Sequence, residues 1–126
     1  MNLSFAITAL ILKRRHKMDK IANRDCRSYV ERREEFNGAW HKIYRTHTIF
    51  ARWHGKVYVV YSWGEHYPMF LYIADKKPDG GWYENSDGYS RSTSRHHSQA
   101  RPFRAVPIQP ASTQELKNLM FRYIVD

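Results

Sequence analysis

The chain reads as an α+β domain in which a small antiparallel sheet, a meander of about four strands, packs with an N-terminal and a C-terminal helix. Three observations carry that reading. Residues 18–36 are dense in charge and contain neither Gly nor Pro. From His47 onward the hydrophobic period changes to two. Ser112-Thr113-Gln114-Glu115 then opens a last segment whose apolar residues fall at helical spacing.

In residues 18–36, Ala22, Cys26, Tyr29, Val30 and Phe36 form a thin stripe. It predicts a helix that lies on the sheet by one edge and ends near Asn37-Gly38, a helix-stop pair. Ile49, Ala51 and Trp53 then share one strand face. After His54-Gly55, a link short enough for a tight hairpin, Val57, Val59, Tyr61 and Trp63 share a face, with Tyr58 and Val60 opposite. Gly64-Glu65-His66 turns the chain. Residues 69–74 are apolar on both faces, as a central strand is, and residues 75–81 (Asp-Lys-Lys-Pro-Asp-Gly-Gly) form a turn-rich loop. Trp82-Tyr83-Glu84 is a short fourth strand closed by Ser86-Asp87-Gly88. Ser92 or Thr93 can cap a short helix that stops before Pro102. Residues 103–108 are extended, and Pro107 and Pro110 confine that stretch to an edge or to coil. Ser112 and Glu115 form a capping box, and Leu116, Leu119, Met120, Tyr123 and Ile124 line one helical face.

A length of 126 residues fits one domain, assigned to residues 18–126. The first 17 residues place an apolar run, Phe5 to Leu12, before a basic one, the reverse of a secretory signal and too short to span a bilayer. They read either as a short helix packed on the domain or a partner, or as an over-extended reading frame with the true start at Met18. The lone Cys26 excludes an internal disulfide and a cysteine-based zinc site, and fits a reducing cytoplasm. The net charge of +9 favours acidic partners: nucleic acid, an acidic protein face or an anionic membrane. Aromatic residues make up 15% of the chain, and Tyr and Trp, with their polar tips, outnumber Phe.

The most unusual composition lies in residues 83–102. None of the nine residues from Ser90 to Ser98 is apolar, and the stretch carries hydroxyls, arginines and the pair His96-His97. Val57–Met69, Trp82–Asp87 and Tyr89–His96 together resemble an uncharacterised group of small proteins encoded by bacteriophages and prophages, with a "YVVYSYG…P" strand, a "WY.N" strand and a "YS.TTSRH" stretch. The similarity runs from about Arg33 to Arg104. It departs at Trp63, where Tyr is commoner, and at Ser92, where Thr is commoner. The resemblance implies a phage-type origin, and with it the cytoplasm of a host bacterium. It implies no activity and lends no catalytic residues.

The chemistry of the stretch has competing readings. If Thr93 caps a helix, the N–H groups of Ser94, Arg95 and His96 suit a phosphate, and Arg91, Arg95 and Arg101 supply bidentate contacts. Against this, Ser90, Thr93 and Ser94 can spend their hydroxyls on the local backbone, and that self-capping reading is preferred. Tyr58, Tyr83 and Tyr89 are the neighbouring aromatics that could stack on bases, with Tyr72 and Trp82 as further rings. Adjacent histidines on a helix point about 100° apart, which disfavours a shared metal ion, so neither metal nor cofactor is expected. Ser94, His96 and Glu84 can be drawn as a triad, and His66 with Glu65 as an acid–base pair. No nucleophile elbow or phosphate-cradling loop accompanies them. The expected function is therefore a non-enzymatic binder of nucleic acid or a nucleoprotein complex. The alternatives are a stoichiometric inhibitor of a host defence system acting by protein contact, and a small hydrolase or nuclease.

Overall fold

The computed structural model describes residues 18–74, 81–102 and 107–125. The N-terminal extension, most of the loop at 75–81 and most of the stretch at 103–108 lie outside the described residues. The chain runs β1 (Asp19–Lys20), a 3-10 turn (Asn23–Asp25), α1 (Cys26–Glu31), β2 (Phe36–Asn37), β3 (Trp40–His41), β4 (Thr46–His47), β5 (Ile49–His54), β6 (Val57–Ser62), β7 (Pro68–Ile73), β8 (Gly81–Asn85), α2 (Arg91–Ala100), β9 (Ile108–Ala111) and α3 (Thr113–Val125). Seven strands form one sheet in the order β1-β2-β5-β6-β7-β8-β9, and β3 with β4 form a separate ribbon.

The α+β class holds, and the expected four-strand antiparallel meander is the centre of the sheet, β5 to β8. The strand number was too low. Two-residue strands β1 and β2 are too short to show a period, and β1 pairs with β2 in parallel, which local sequence does not announce. At the other edge β9 returns across α2 to pair in parallel with β8, Trp82 opposite Ile108. Pro110 is accommodated because β9 is an edge strand.

The N-terminal helix is also shorter than its stripe suggested. Arg33 ends it with a left-handed φ of 54°, four residues before Asn37-Gly38. Upstream, Asn23 accepts from Ala39 N at 2.9 Å and donates to Thr48 Oγ1 at 2.8 Å, which pins the chain to the sheet where the helix was expected. The β5–β6 hairpin forms as read, with His54 opposite Val57 and Gly55 at φ 59°.

The sheet is covered on both faces. Cys26, Val30, Phe36, Ile49, Ala51, Tyr58, Val60, Phe70, Trp82 and Ala100 form one cluster, under α1 and α2. Phe50, Val57, Val59, Tyr61, Leu71, Ile73, Tyr83 and Leu116 form the other, under α3. Full burial of Leu116 supplies about 1.5–3 kcal/mol, little more than the cost of ordering one or two residues. The helix therefore needs its other ties. Leu119, Met120 and Tyr123 pack partly. Asn85 Nδ2 donates to Thr113 Oγ1 at 2.8 Å. The capping box closes as expected, Glu115 N to Ser112 Oγ at 3.1 Å and Ser112 N to Glu115 Oε1 at 3.0 Å. No helix among the described residues is long and apolar enough to cross a membrane.

Gly38 follows β2 and lies against β5 and the Asn23 side chain. Its N–H donates to Ile49 O at 2.7 Å, and a Cβ there would meet Asn23 Oδ1 and lie 2.6 Å from Ile49 O. Gly38→Ala should cost about 1–3 kcal/mol, read as a lower urea midpoint at unchanged slope. A midpoint equal to that of the parent would refute this packing.

Candidate functional site

The helix α2 begins one turn's register earlier than its hydroxyls suggested. Ser90, not Ser92 or Thr93, is the cap, with extended backbone and its Oγ accepting from Thr93 N at 3.1 Å. Along the helix Thr93, His96 and Ala100 are buried at helical spacing, and Arg91, Ser94 and Arg95 are exposed. Ser90 Oγ donates to Thr93 Oγ1 at 3.0 Å. Thr93 Oγ1 lies 3.1 Å from Ser62 Oγ, and Ser62 Oγ lies 2.8 Å from His96 Nδ1. The self-capping reading is the arrangement found for Ser90, whereas the Thr93 hydroxyl meets the Ser90 and Ser62 side chains rather than the local backbone.

His96 is 4% exposed and Ser62 is fully buried. Burial, with the nearby charges of Arg95 and His97, pulls the His96 pKa down to about 4. The ring is neutral at pH 7, and Ser62 cannot meet a substrate from a position without solvent contact. The triad drawn from sequence is not assembled. Glu84 accepts from His97 Nδ1 at 2.7 Å and from Arg101 Nη2 at 2.5 Å, rather than from His96. Burial would raise the Glu84 carboxyl, but the hydrogen bonds from His97 and Arg101 outweigh it and hold its pKa below the usual value. Tyr67 gives its proton to Asp87 O at 2.7 Å and so accepts from His97 Nε2 at 3.0 Å. Both ring nitrogens of His97 are thus engaged. This cluster ties α2 to β8. His66 pairs with Tyr89 OH at 2.9 Å rather than with Glu65. Cys26 donates to Gln99 O at 3.4 Å, and burial pushes its thiol up to about 12, so it is no nucleophile at pH 7.

One accessible cleft, of about 610 Å³, lies between the head of α2 and the β3–β4 ribbon. Trp63 forms its floor. This residue follows β6 with a left-handed φ of 63°, uncommon for an aromatic side chain, and Gly64 continues the turn at 129°. The turn brings the indole beside His96, ring centroids 5.9 Å apart, with Nε1 donating to Ser92 Oγ at 2.8 Å. The ribbon supplies Tyr44, which stacks on His41 at 4.8 Å and meets the Trp63 ring edge-on at 5.7 Å. Opposite stands Tyr89, held by His66 and by the Tyr67 ring at 5.3 Å. Tyr44 and Tyr89 remain 70% and 56% exposed beyond these ring contacts. None of the described residues lining the cleft is acidic.

The nine residues singled out from sequence therefore separate. Tyr89 lines the cleft, and Arg91, Ser94 and Arg95 are exposed on the adjoining helix. Thr93 and His96 are buried. Arg101 is engaged by Glu84. Tyr58 and Tyr83 are core residues, 0% and 5% exposed, and Tyr58 OH donates to Glu34 O at 2.7 Å. Stacking by those two rings would require the sheet to lose a cover. Trp82 is buried and Tyr72 half-buried. Sequence reasoning missed Tyr44, Trp63 and His66 as cleft residues. The available signal was the run Trp40-His41-Lys42-Ile43-Tyr44-Arg45-Thr46-His47, which alternates rings with basic side chains and contains no acid. Among the described residues no group of three or more His, Cys, Asp or Glu has the geometry to hold a metal ion.

Ser62→Ala should destabilise the fold by about 1–3 kcal/mol, because it strands His96 Nδ1 and Thr93 Oγ1. The pH dependence follows from His96. Its folded pKa lies below its unfolded value of about 6.5, so the stability it carries is complete above that pH and is lost as pH falls toward 4. Urea midpoints between pH 7 and 4 should fall, and the fall should be shallower in His96→Gln. Comparison with family models, with curated proteins and with solved structures finds no match to this chain.

Proposed function

We propose that the protein is a non-enzymatic binder of single-stranded nucleic acid, of bacteriophage or prophage type, working in the host cytoplasm on a free strand or on the strand of a nucleoprotein complex. The observation that carries this is the cleft: exposed Tyr44 and Tyr89 stand over a tryptophan floor on a chain of net charge +9. An unpaired base offers a π-face to such rings whatever its identity, and each stacked base contributes about 1–3 kcal/mol. A paired base offers only its edge, so the cleft favours single strands. Phosphates have their own partners outside the cleft. Arg91 and Arg95 are four residues apart on one helical face, and Arg45 neighbours Tyr44 on the ribbon. The first turn of α2 also leaves the N–H groups of Arg91 and Ser92 without a helical acceptor, Thr93 N being taken by Ser90.

A second reading has its own support. Trp40 and Ile43, on the same ribbon, are 54% and 81% exposed. Apolar side chains that far out of the core suit a protein surface, as in a stoichiometric inhibitor of a host defence complex. The two readings separate by mutation, since Ile43→Asp should weaken only the protein contact.

With fluorescent single-stranded DNA and RNA, binding should fall with salt at a slope near −2, as expected for about three phosphates on a single strand. Tyr44→Ala and Tyr89→Ala should each weaken binding by about 1–3 kcal/mol at unchanged salt slope. Arg91→Ala and Arg95→Ala should reduce the slope instead. Absence of binding at low salt would rule the reading out.

A further inference from the structure

Resting on that reading, we infer that the cleft selects an unpaired base that carries an exocyclic amine, so that cytosine, adenine or guanine is taken in preference to uracil or thymine. The warrant is the count of protons and lone pairs along the hydroxyl chain that lines its α2 wall. The Trp63 indole can only donate, and its proton goes to Ser92 Oγ at 2.8 Å. Ser90 Oγ donates to Thr93 Oγ1 at 3.0 Å. The Ser90 and Ser92 hydroxyls are 3.1 Å apart, and with the Ser90 proton committed only Ser92 can supply the proton of that bond. Thr93 passes its proton to Ser62 Oγ at 3.1 Å, and Ser62 passes its own to His96 Nδ1 at 2.8 Å. The buried, neutral ring accepts it. Every hydroxyl proton in the chain therefore points away from the cleft and toward His96.

The consequence at the cleft surface is a fixed polarity. Both Ser90 lone pairs are occupied, one by Thr93 N–H and one by Ser92. Ser92 retains one free lone pair and no free proton. Thr46, on the ribbon, gives its proton to His47 O at 3.1 Å and likewise has only acceptor capacity left. These hydroxyls can receive a ligand N–H and cannot offer an O–H. The N4 amine of cytosine meets that requirement. Uracil has a single such proton, on N3 between two carbonyl oxygens, so either O4 takes the amine's place against a lone pair or the N3–H pairs with a carbonyl crowded against the same acceptor wall. Phosphate gains no hydroxyl proton from this wall, which leaves it to Arg91, Arg95 and the N–H groups at the head of α2.

Short oligocytidine and oligouridine strands of equal length isolate the effect, because the two pyrimidines differ little in stacking. Titrated at neutral pH and low salt, oligocytidine should bind about three- to tenfold more tightly, the worth of one neutral hydrogen bond. Ser92→Ala should bring the two affinities together, and Ser92→Thr, which keeps the hydroxyl, should restore the difference. Circular dichroism and thermal melting of each variant separate this from loss of fold, and the wild-type comparison stands without any variant. Equal affinity for the two strands, or tighter binding of oligouridine, overturns the selectivity and leaves strand binding intact. Failure of both strands to bind overturns the underlying reading as well. Cytidine monophosphate as competitor distinguishes a free nucleotide from a strand: selectivity predicts that it outcompetes uridine monophosphate, and strand binding predicts that both are much weaker than the oligomers.

Discussion

The contact on which the site depends is the short hydrogen bond between Ser62 at the end of β6 and His96 on α2. A helix with a mean composition as polar as α2 has almost no apolar surface with which to dock. Its inward face is Thr93, His96 and Ala100. Two of those three are polar, so their burial is favourable only when each is satisfied. Ser62 satisfies both at once. Its position on the strand fixes where α2 lies along the sheet, and thereby where Ser92 meets the Trp63 indole. A salt-bridge cluster at the far end of the helix, Glu84 with His97 and Arg101, sets its other end.

Much of the fold was legible because its signals are local. The β5–β8 meander announced itself by alternation, and the α3 capping box is a four-residue pattern whose two reciprocal bonds are both present. What escaped was non-local. The parallel partners of β1 and β9 are set by chain segments that cross over a helix, and no window of sequence contains both strands. The 18–36 stripe was too thin to show where the helix stops; the tether from Asn23 to Ala39 and Thr48 decides that.

The site was half legible for a related reason. Sequence located the right segment, because a run of hydroxyls between apolar strands is conspicuous. It could not say which hydroxyl caps the helix, nor which face of α2 meets the sheet: Thr93 and His96 are buried while their neighbours Ser94 and Arg95 are exposed. Tyrosines posed the same difficulty. Tyr58 and Tyr89 are chemically identical, yet the first is enclosed with its hydroxyl on Glu34 O while the second stands in solvent. The left-handed backbone at Trp63 left only the following glycine as a trace in the sequence.

The two walls of the cleft differ in what holds them. Tyr89 and Ser92 belong to a wall anchored by the core and by a buried polar chain. Tyr44 belongs to a ribbon whose pairing is two residue pairs long, Trp40 with His47 and His41 with Thr46. A two-stranded hairpin of that size is marginal by itself, so its order is borrowed from ring contacts of His41 and Tyr44 with Trp63. The indole is thus a hinge pin as well as a floor. A ring inserted beside it competes for the same π-surface that steadies the ribbon, and part of any ligand's stacking energy goes into re-ordering that arm. On the proposed function, a bound strand would leave at a rate set by the ribbon rather than by the helix.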